Sequence, residues 1–346
     1  MKKVSLIICI IFLIVSAVAG CGSPEKSPTV SGNIKLALIL DPASAVDEQY
    51  NHQLETTVKK AADQYRNRLT AEIIRIPGNG IDRKKYIDEQ LSNGKYDLVI
   101  DSDLYYTRNV VELAEKYPQT KFGIVDEDIA EVGKNSNLLL LSYNAFQEGF
   151  VAGYSAGIKA KTAVAIVALK GNPNSYKLIK GFRAGIEYAN KSLKIIKKDI
   201  ELQQYNVSNV FDNEQKLRNE VFNSVKQAVG EGADVVLPDS LIPIAPVIAA
   251  VQNSPALIVS TEIEYSSLVK DPNYLSCIVE DYEFGINQLI TRVLTGGFKG
   301  GKLEMNFLNE GLKFSSVDKD NQAACERLIK ELVNNPKLIA NLEVIQ

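Results

Sequence analysis

Short runs of β-branched and other apolar residues alternate with amphipathic stretches along most of the chain. The runs 34–40 and 163–169 are predominantly apolar, as buried strands of parallel sheets usually are. Between positions 54 and 69, apolar residues recur every three or four positions, which predicts an amphipathic helix. Strands that alternate with helices predict an α/β protein with open, mostly parallel sheets.

The alternation begins again near Ala145, so two sheets are expected, and 346 residues are consistent with about two domains. Further strands are predicted at 71–76, 98–100, 122–125, 138–141, 200–205, 234–237 and 256–259. Further helices are predicted at 83–91, 108–116, 145–160, 176–190, 213–229 and 244–252. From Tyr274 onward the sequence predicts a strand, a helix, a hairpin over 302–314 and a final helix, too little for a third domain.

Residues that directly follow strands are the first candidates for a binding site, because ligands of such sheets bind beyond the carboxyl ends of the strands. They are Asp41, Asp101, Asp126, Tyr143, Asp239 and Ser260, with Tyr50 and Asn51 in the first strand-to-helix loop. A carboxylate accepts hydrogen bonds from sugar hydroxyls, and an Asn side chain pairs with a base edge. An aromatic ring such as that of Tyr50 or Phe211 stacks on a planar ligand. Each residue also has a structural alternative, since an Asp after a strand is often a turn or N-cap residue and Tyr50 alone fits a core.

The N-terminal residues predict a leader rather than a folded element. Two lysines precede an apolar run over 4–18, and two small residues and Cys21 follow it, which is the pattern of a secretory signal. The run is shorter than the roughly 20 residues that span a bilayer, although a retained membrane anchor is the alternative. Residues 18–21 (VAGC) resemble a bacterial lipobox, in which the Cys carries acyl chains that hold the protein at a membrane surface. We therefore expect a signal peptide over 1–20 and a flexible tether over 21–33.

Composition excludes several classes of function. The formal net charge is −3, from 39 basic and 42 acidic residues, which argues against a general nucleic-acid binder. One His and four Cys leave little material for a zinc site, a Cys–His nucleophile or a disulfide framework. Cys277 and Cys325 are expected to be free, partly buried thiols, with a disulfide between them as the alternative. Nucleotide and hydrolase motifs are missing from the sequence, so no cofactor, no metal and no enzymatic activity is expected.

Two glycine pairs occur within predicted helices. Gly149 and Gly153 are four residues apart, as are Gly181 and Gly185, so each pair lies on one helix face. This spacing favours close helix packing over a phosphate-binding loop.

Five segments, in order along the chain, resemble motifs of the BMP/PnrA-like lipoproteins, which are substrate-binding proteins of ABC importers, many of them specific for purine nucleosides. The segments are 41–51 (DPASAVDEQYN), 117–126 (YPQTKFGIVD), 147–153 (QEGFVAG), 181–185 (GFRAG) and 211–212 (FD). The resemblance runs from about Ile34 to Phe314, which is most of the mature chain. The lipobox agrees with this resemblance.

The resemblance implies a type I periplasmic-binding-protein fold, with two Rossmann-like lobes, a hinge of three crossovers and an interlobe ligand cleft. Lobe I is expected at 34–142 plus 272–298 and lobe II at 143–271 plus 299–346. By resemblance, the cleft is lined by Asp41, Tyr50, Asn51, Asp126 and Phe211. Of these, the two aromatic residues would sandwich a purine-like base, while the Asn and the second Asp would bind base or sugar edges.

Three positions depart from the family pattern and are added to the expected site. Asp239 lies in 238–243, where the family has a Gly-rich turn, Ser260 replaces an expected Asp, and Glu280 replaces an expected Lys. Loss of an Asp-to-hydroxyl contact costs about 1.5–3 kcal/mol, or roughly ten- to a hundredfold in affinity. The changes indicate either an altered ligand or a branch that no longer serves import.

Three functions follow from the sequence. The first is an extracytoplasmic lipoprotein, anchored in the cell membrane through Cys21, that delivers a nucleoside-like small molecule to ABC permease subunits. The second is a surface lipoprotein with a regulatory or sensory role and altered or lost nucleoside binding, comparable to the family's Med-like branch. The third, an enzyme that uses Asp41 and Asp126 as acid and base, is disfavoured because the sequence offers no activated nucleophile.

Overall fold

The computed structural model describes residues 32–40, 48–77, 82–102, 107–125, 136–170, 173–201, 210–240, 242–262 and 270–338. The strands are β1 (Ile34–Leu40), β2 (Leu69–Arg75), β3 (Leu98–Asp101), β4 (Lys121–Val125), β5 (Leu138–Tyr143), β6 (Ala163–Lys170), β7 (Lys194–Glu201), β8 (Val235–Pro238), β9 (Leu257–Glu262), β10 (Tyr274–Glu280), β11 (Gly301–Met305) and β12 (Leu312–Ser316). The helices are α1 (Glu48–Gln64), α2 (Arg83–Gly94), α3 (Thr107–Lys116), α4 (Ala145–Lys159), α5 (Pro173–Ala189), α6 (Val210–Gly230), α7 (Ile244–Val251), α8 (Tyr282–Leu294) and α9 (Lys319–Asn334).

Two six-stranded sheets organise these elements, as the alternating pattern predicts. The first has the order β11-β5-β4-β3-β1-β2, and the second has the equivalent order β12-β10-β9-β8-β6-β7. Neighbouring strands pair in parallel except β12, which runs antiparallel to β10 at the edge of the second sheet. The expected α/β fold with two Rossmann-like lobes is therefore confirmed.

In the described part of the chain, three connections cross from one lobe to the other. They join β5 to α4, β10 to α8, and β11 to β12. After the first crossing, α4 packs on β8, β9 and β10. After the second, α8 returns to the first lobe, where it packs on α1 and β4.

The tail is divided between the lobes differently from the sequence-based boundaries. The segment 272–298 was assigned to lobe I, but β10 pairs with β9 in the second sheet and only α8 lies on the first. The segment 299–346 was assigned to lobe II, but β11 pairs with β5 in the first sheet. The difference arises because the chain crosses between the lobes after each of these strands rather than before it. The expected leader and most of the tether lie outside the described residues.

Two further expectations for the strands are wrong. The strand expected at 200–205 is β7, which begins at Lys194 and ends at Glu201; its charged residues are tolerated because it forms the edge of its sheet. The expected hairpin over 302–314 does not form, since β11 and β12 belong to different sheets. In the connection between them, the side-chain oxygen of Asn306 accepts the backbone N–H groups of Leu308 (2.9 Å) and Asn309 (3.1 Å). This compact turn redirects the chain from one sheet to the other.

The two glycine pairs interlock α4 with α5. A Cβ atom added at Gly153 would lie 2.2 Å from the backbone oxygen of Phe182, and one at Gly185 would lie 2.0 Å from that of Phe150. The glycines therefore allow the two helix backbones to touch, which confirms the prediction of close helix packing.

Candidate ligand site

Three tyrosines of the first lobe pack together beside the second crossover. Tyr282 is the first residue of α8 and is fully buried. Its ring meets the rings of Tyr50 in α1 and Tyr143 at the end of β5 edge-on, each at a centroid distance of 5.2 Å. Such edge-to-face pairs contribute about 0.5–1.5 kcal/mol beyond their buried area. These ring contacts tie α1 and β5 of the first lobe to Tyr282, where the chain enters α8 after the second crossover.

The Tyr282 hydroxyl lies between two buried carboxyl groups. Its oxygen is 2.6 Å from Oε2 of Glu280, at the end of β10, and 3.1 Å from Oε1 of Glu262, at the end of β9. A phenol has one proton and donates only one hydrogen bond. The hydroxyl therefore donates fully to only one of these two oxygens at a time.

Glu148 adds a third acid to this arrangement. It lies in the first turn of α4, whose N-terminus is capped by the side chain of Asn144. Its Oε1 accepts the backbone N–H of Glu262 at 2.8 Å. Burial raises the pKa of Glu148 well above its ordinary value, and the charges of Glu262 and Asp239 raise it further, against the effect of that backbone hydrogen bond. The neutral acid is therefore favoured at this position.

Glu262 adopts a backbone conformation that is unusual for a residue with a side chain. Its φ angle is 73°, in the left-handed region, which costs roughly 1–2 kcal/mol for residues other than glycine. It ends β9 and places a backbone donor on Glu148 and a carboxyl group on Tyr282. We call Glu148, Glu262, Glu280 and Tyr282 the acid–tyrosine cluster.

The structure brings some of the expected site residues together. Glu280 is a member of the cluster, and Tyr50 packs on its tyrosine. Asp239 influences Glu148 electrostatically, but its own carboxylate also accepts the backbone N–H of Leu169 at 3.0 Å and so links the ends of two strands.

The other expected site residues are not part of these contacts. Asn51 is partly buried in α1, one residue after Tyr50. Ser260 is buried in β9, and its hydroxyl forms no hydrogen bond with any described residue. Asp41, Asp126 and Cys21 lie outside the described residues. Phe211 lies in the first turn of α6, but its side chain is outside the described part, so the aromatic sandwich stays a prediction.

Sequence reasoning missed Glu148, Glu262 and Tyr282 as members of a site. Glu148 carries a usable signal, because it is the one charged residue in the predominantly apolar segment 145–153. Glu262 and Tyr282 give no comparable signal, since their contact depends on how β9, β10 and α8 are arranged.

Two further expectations from the sequence concern the cysteines and metal binding. Cys277 and Cys325 are free, as expected, but both are fully rather than partly buried. Among the residues that the structure describes, no three His, Cys, Asp or Glu side chains form a group able to hold a metal ion.

The paired doubly wound sheets, the three crossovers and the polar residues at the strand ends define a type I periplasmic-binding protein. The family model of PnrA-like ABC transporter substrate-binding proteins, Bmp, matches residues 34–345. The chain belongs to this family.

Two relatives show the range of the similarity. Basic membrane protein C of Borreliella burgdorferi is 25% identical over 346 residues, which cover 95% of this chain and 92% of that protein. An uncharacterised lipoprotein of Pyrococcus abyssi is 28% identical over 196 residues. That match covers 55% of this chain and 48%, about half, of the relative.

Solved structures share the fold at low sequence identity. A solute-binding protein of an ABC transporter system from Aeropyrum pernix has a TM-score of 0.66 at 14% identity, with 90% of each chain covered. A transcriptional activator of the comK gene from Bacillus halodurans has a TM-score of 0.68 at 14% identity, covering 88% of this chain and 99% of that one. At this identity the likeness concerns the fold alone.

Relatives described as lipoproteins agree with the lipobox-like segment at Cys21. Within the described ranges, no helix combines the length and the apolar character needed to cross a membrane.

Proposed function

We propose that this protein is the solute-binding lipoprotein of an ABC importer and that it captures a nucleoside-like small molecule between its lobes. Lipidation of Cys21 anchors it on the extracytoplasmic face of the cell membrane, where it delivers the ligand to permease subunits. The match to the substrate-binding family over residues 34–345 is the observation that carries the proposal.

The positions of two expected residues support a site at the strand ends. Tyr50 and Glu280 come from different lobes, and both contact Tyr282 beside the second crossover. Movement of one lobe relative to the other would change these contacts, and closure around a ligand is the usual motion of such proteins.

Titration calorimetry with a panel of purine and pyrimidine nucleosides tests the proposal. We expect one class of nucleoside to bind and to raise the melting temperature, because a ligand that binds only the folded state stabilises it. The proposal of nucleoside binding is abandoned if every member of the panel gives neither heat nor a thermal shift. Native mass spectrometry of protein purified without refolding identifies any retained ligand independently.

A regulatory or sensory surface lipoprotein is the second candidate. It is favoured by the burial of two expected ligand residues in the protein's own contacts, since Tyr50 is only 5% exposed and Glu280 only 3%. This candidate predicts a protein partner other than a permease. Cross-linking in cells followed by purification distinguishes the two functions, because recovery of permease subunits alone excludes the second.

A further inference from the structure

The edge at which the strands of the first sheet begin carries a row of basic side chains. All six strands of this sheet run parallel, so their first residues lie along one edge, opposite the carboxyl ends. The sheet is about 24 Å wide from β2 to β11, since neighbouring strands lie about 4.8 Å apart. We call the following residues, which lie at strand starts and after helix ends along this edge, the basic row: Arg66, Arg68, Lys95, Lys121 and Lys299.

Backbone hydrogen bonds of the sheet hold the basic row in place. The N–H of Ile34, the first residue of β1, donates to the backbone oxygen of Arg68 at 2.8 Å. The N–H of Lys121, the first residue of β4, donates to the backbone oxygen of Asp97 at 2.9 Å, and Asp97 lies two residues after Lys95. The row therefore follows the edge of the sheet.

Carboxylates compensate the basic row only in part. In the described part of the chain, Lys95 and Lys299 are exposed, and neither side chain is in an ion pair. Arg66 meets Asp63 at 3.9 Å, and both side chains are highly exposed, so this pair contributes little. The other charged residues near this edge nearly balance one another: the acids Glu72, Asp88, Asp97 and Glu115 and the cations Lys35, Lys116 and Arg292. The edge is thus positive, whereas the formal charge of the whole chain is −3.

The chain enters the fold at this same edge. β1 begins at Ile34, and only residues 22–33 separate it from Cys21, the lipid-carrying residue of the proposed function. A flexible linker of this length spans about 20 Å on average. The tether would therefore hold the basic row within reach of the membrane surface.

We propose that the basic row is a docking surface for the anionic lipid headgroups of the membrane that carries the protein. Cations spread along a sheet edge match an extended anionic surface better than a compact anion. Each such cation near an anionic membrane strengthens binding by about a factor of five. In the docked protein, the carboxyl ends of the first sheet are directed away from the bilayer. This inference rests on the proposed function for the lipid anchor.

Labelling of lysines on vesicles tests the docking surface. The lipoprotein, purified from membranes, is reconstituted into vesicles of phosphatidylcholine with and without phosphatidylglycerol, and a soluble reagent labels its amines. We expect Lys95 and Lys299 to be labelled at least about fivefold more slowly on the anionic vesicles. At molar salt the difference should disappear, because the Debye length falls to about 3 Å. Lys161 and Lys191, exposed where strands of the second sheet begin, should be labelled equally on both.

Two double variants assign the protection to the basic row. Lys95→Gln with Lys299→Gln removes charge from the row, so Lys121 should then be labelled on anionic vesicles as fast as on neutral ones. Lys161→Gln with Lys191→Gln removes the same charge from the second sheet and should keep the protection of Lys121. Loss of protection in both would overturn the docking surface, because it would reflect net charge alone. Circular dichroism and thermal unfolding establish that each variant is folded.

The outcomes separate this inference from the proposed function. Equal labelling of Lys95 and Lys299 on the two kinds of vesicle overturns the docking surface and leaves the importer role intact. Mass spectrometry shows separately whether Cys21 carries acyl chains. If it carries none, the anchor of the proposed function fails, and the protein is sedimented with the same vesicles from solution.

Sedimentation with the anionic vesicles alone, abolished by Lys95→Gln with Lys299→Gln, supports the docking surface without an anchor. Sedimentation that both double variants retain, or no sedimentation at all, overturns it.

Discussion

At the scale of single residues, several buried contacts of the acid–tyrosine cluster depend on the hydroxyl group of one residue, Tyr282. Tyr282 is in contact with two carboxyl groups through its oxygen and with two tyrosines through its ring. Buried carboxyl groups are costly unless they are hydrogen-bonded or protonated. The phenol and the backbone N–H of Glu262 supply hydrogen bonds to these groups.

Replacement of Tyr282 by Phe should destabilise the protein by about 1–3 kcal/mol, because it removes a hydrogen-bond partner from buried carboxyl groups while the ring contacts remain. Urea unfolding measures the loss. Tyr176→Phe, at a residue that is 63% exposed, is the matched control and should leave stability unchanged. Equal stability of the two variants would show that the hydroxyl contributes nothing.

Glu148→Gln should change how stability depends on pH. The folded-state pKa of Glu148 is raised, so between its ordinary value and that raised value the folded protein holds a proton that the unfolded chain has lost. Stability therefore falls as pH rises through this interval, by up to about 1.4 kcal/mol per pH unit for one proton. The Gln variant keeps the oxygen that accepts the N–H of Glu262 and does not titrate, so its stability should fall less.

Urea unfolding of the wild-type protein and of Glu148→Gln between about pH 5 and about pH 8 measures this difference. Glu89→Gln, in α2, serves as the control, because Glu89 is exposed. The same pH slope in all three proteins would be evidence against a raised pKa at Glu148.

Sequence reasoning recognised Glu280 but not the residues that surround it. A residue after a buried strand can be identified from the alternation of apolar runs, which indicates Asp239 and Ser260. Glu280 is indicated only by its departure from the family pattern, where a Lys is expected. The partners of Glu280 depend on the left-handed backbone of Glu262 and on the return of α8 to the first lobe. Neither property is encoded in a local pattern of residues.

At the scale of elements, the pair formed by α4 and α5 is the clearest example of a local pattern that determines packing. Glycines four residues apart on each helix leave the backbone of one helix in contact with the backbone of the other. The spacing alone predicted this packing. In contrast, β7 has the charged composition of an edge strand, and its start at Lys194 was missed because apolar periodicity is weak there.

Gly153→Ala and Gly185→Ala should each destabilise the protein by about 1–3 kcal/mol or more, because the added methyl group meets backbone atoms that cannot rotate away. Thermal unfolding is the measurement. Gly230→Ala, at the end of α6 where nothing lies within 4 Å of the added Cβ, should be neutral or slightly stabilising. An equal loss at Gly230 would mean that helix contact is not the cause.

At the scale of the whole molecule, the three crossovers are tied to one another by short contacts. The backbone N–H of Asn144 in the first crossover donates to the oxygen of Met305, which begins the third, at 2.9 Å. In the second crossover, the backbone N–H of Asp281 donates to the oxygen of Gly311 at 2.9 Å, and its carboxylate pairs with Lys313 at 2.5 Å. The lobes are thus joined at one side, as a hinge requires.

Replacement of Cys21 by Ala should move the protein from the membrane fraction to the medium or the periplasm. In the proposed function, acyl chains on Cys21 provide the anchor. Fractionation and labelling with a radioactive fatty acid measure the change, with Cys325→Ala, a buried thiol, as the control. Retention of the Cys21 variant at the membrane would favour an uncleaved N-terminal anchor instead.

The exchange of the last strands has a consequence for how the chain acquires its structure. β11 completes the first sheet and β12 completes the second, although they are separated by only a short turn near the C-terminus. Neither sheet can therefore be completed before this late segment has been synthesised, and assembly of both lobes depends on it. Because pairings between distant parts of a chain form slowly, we expect the two lobes to reach the native state in one concerted step rather than in succession.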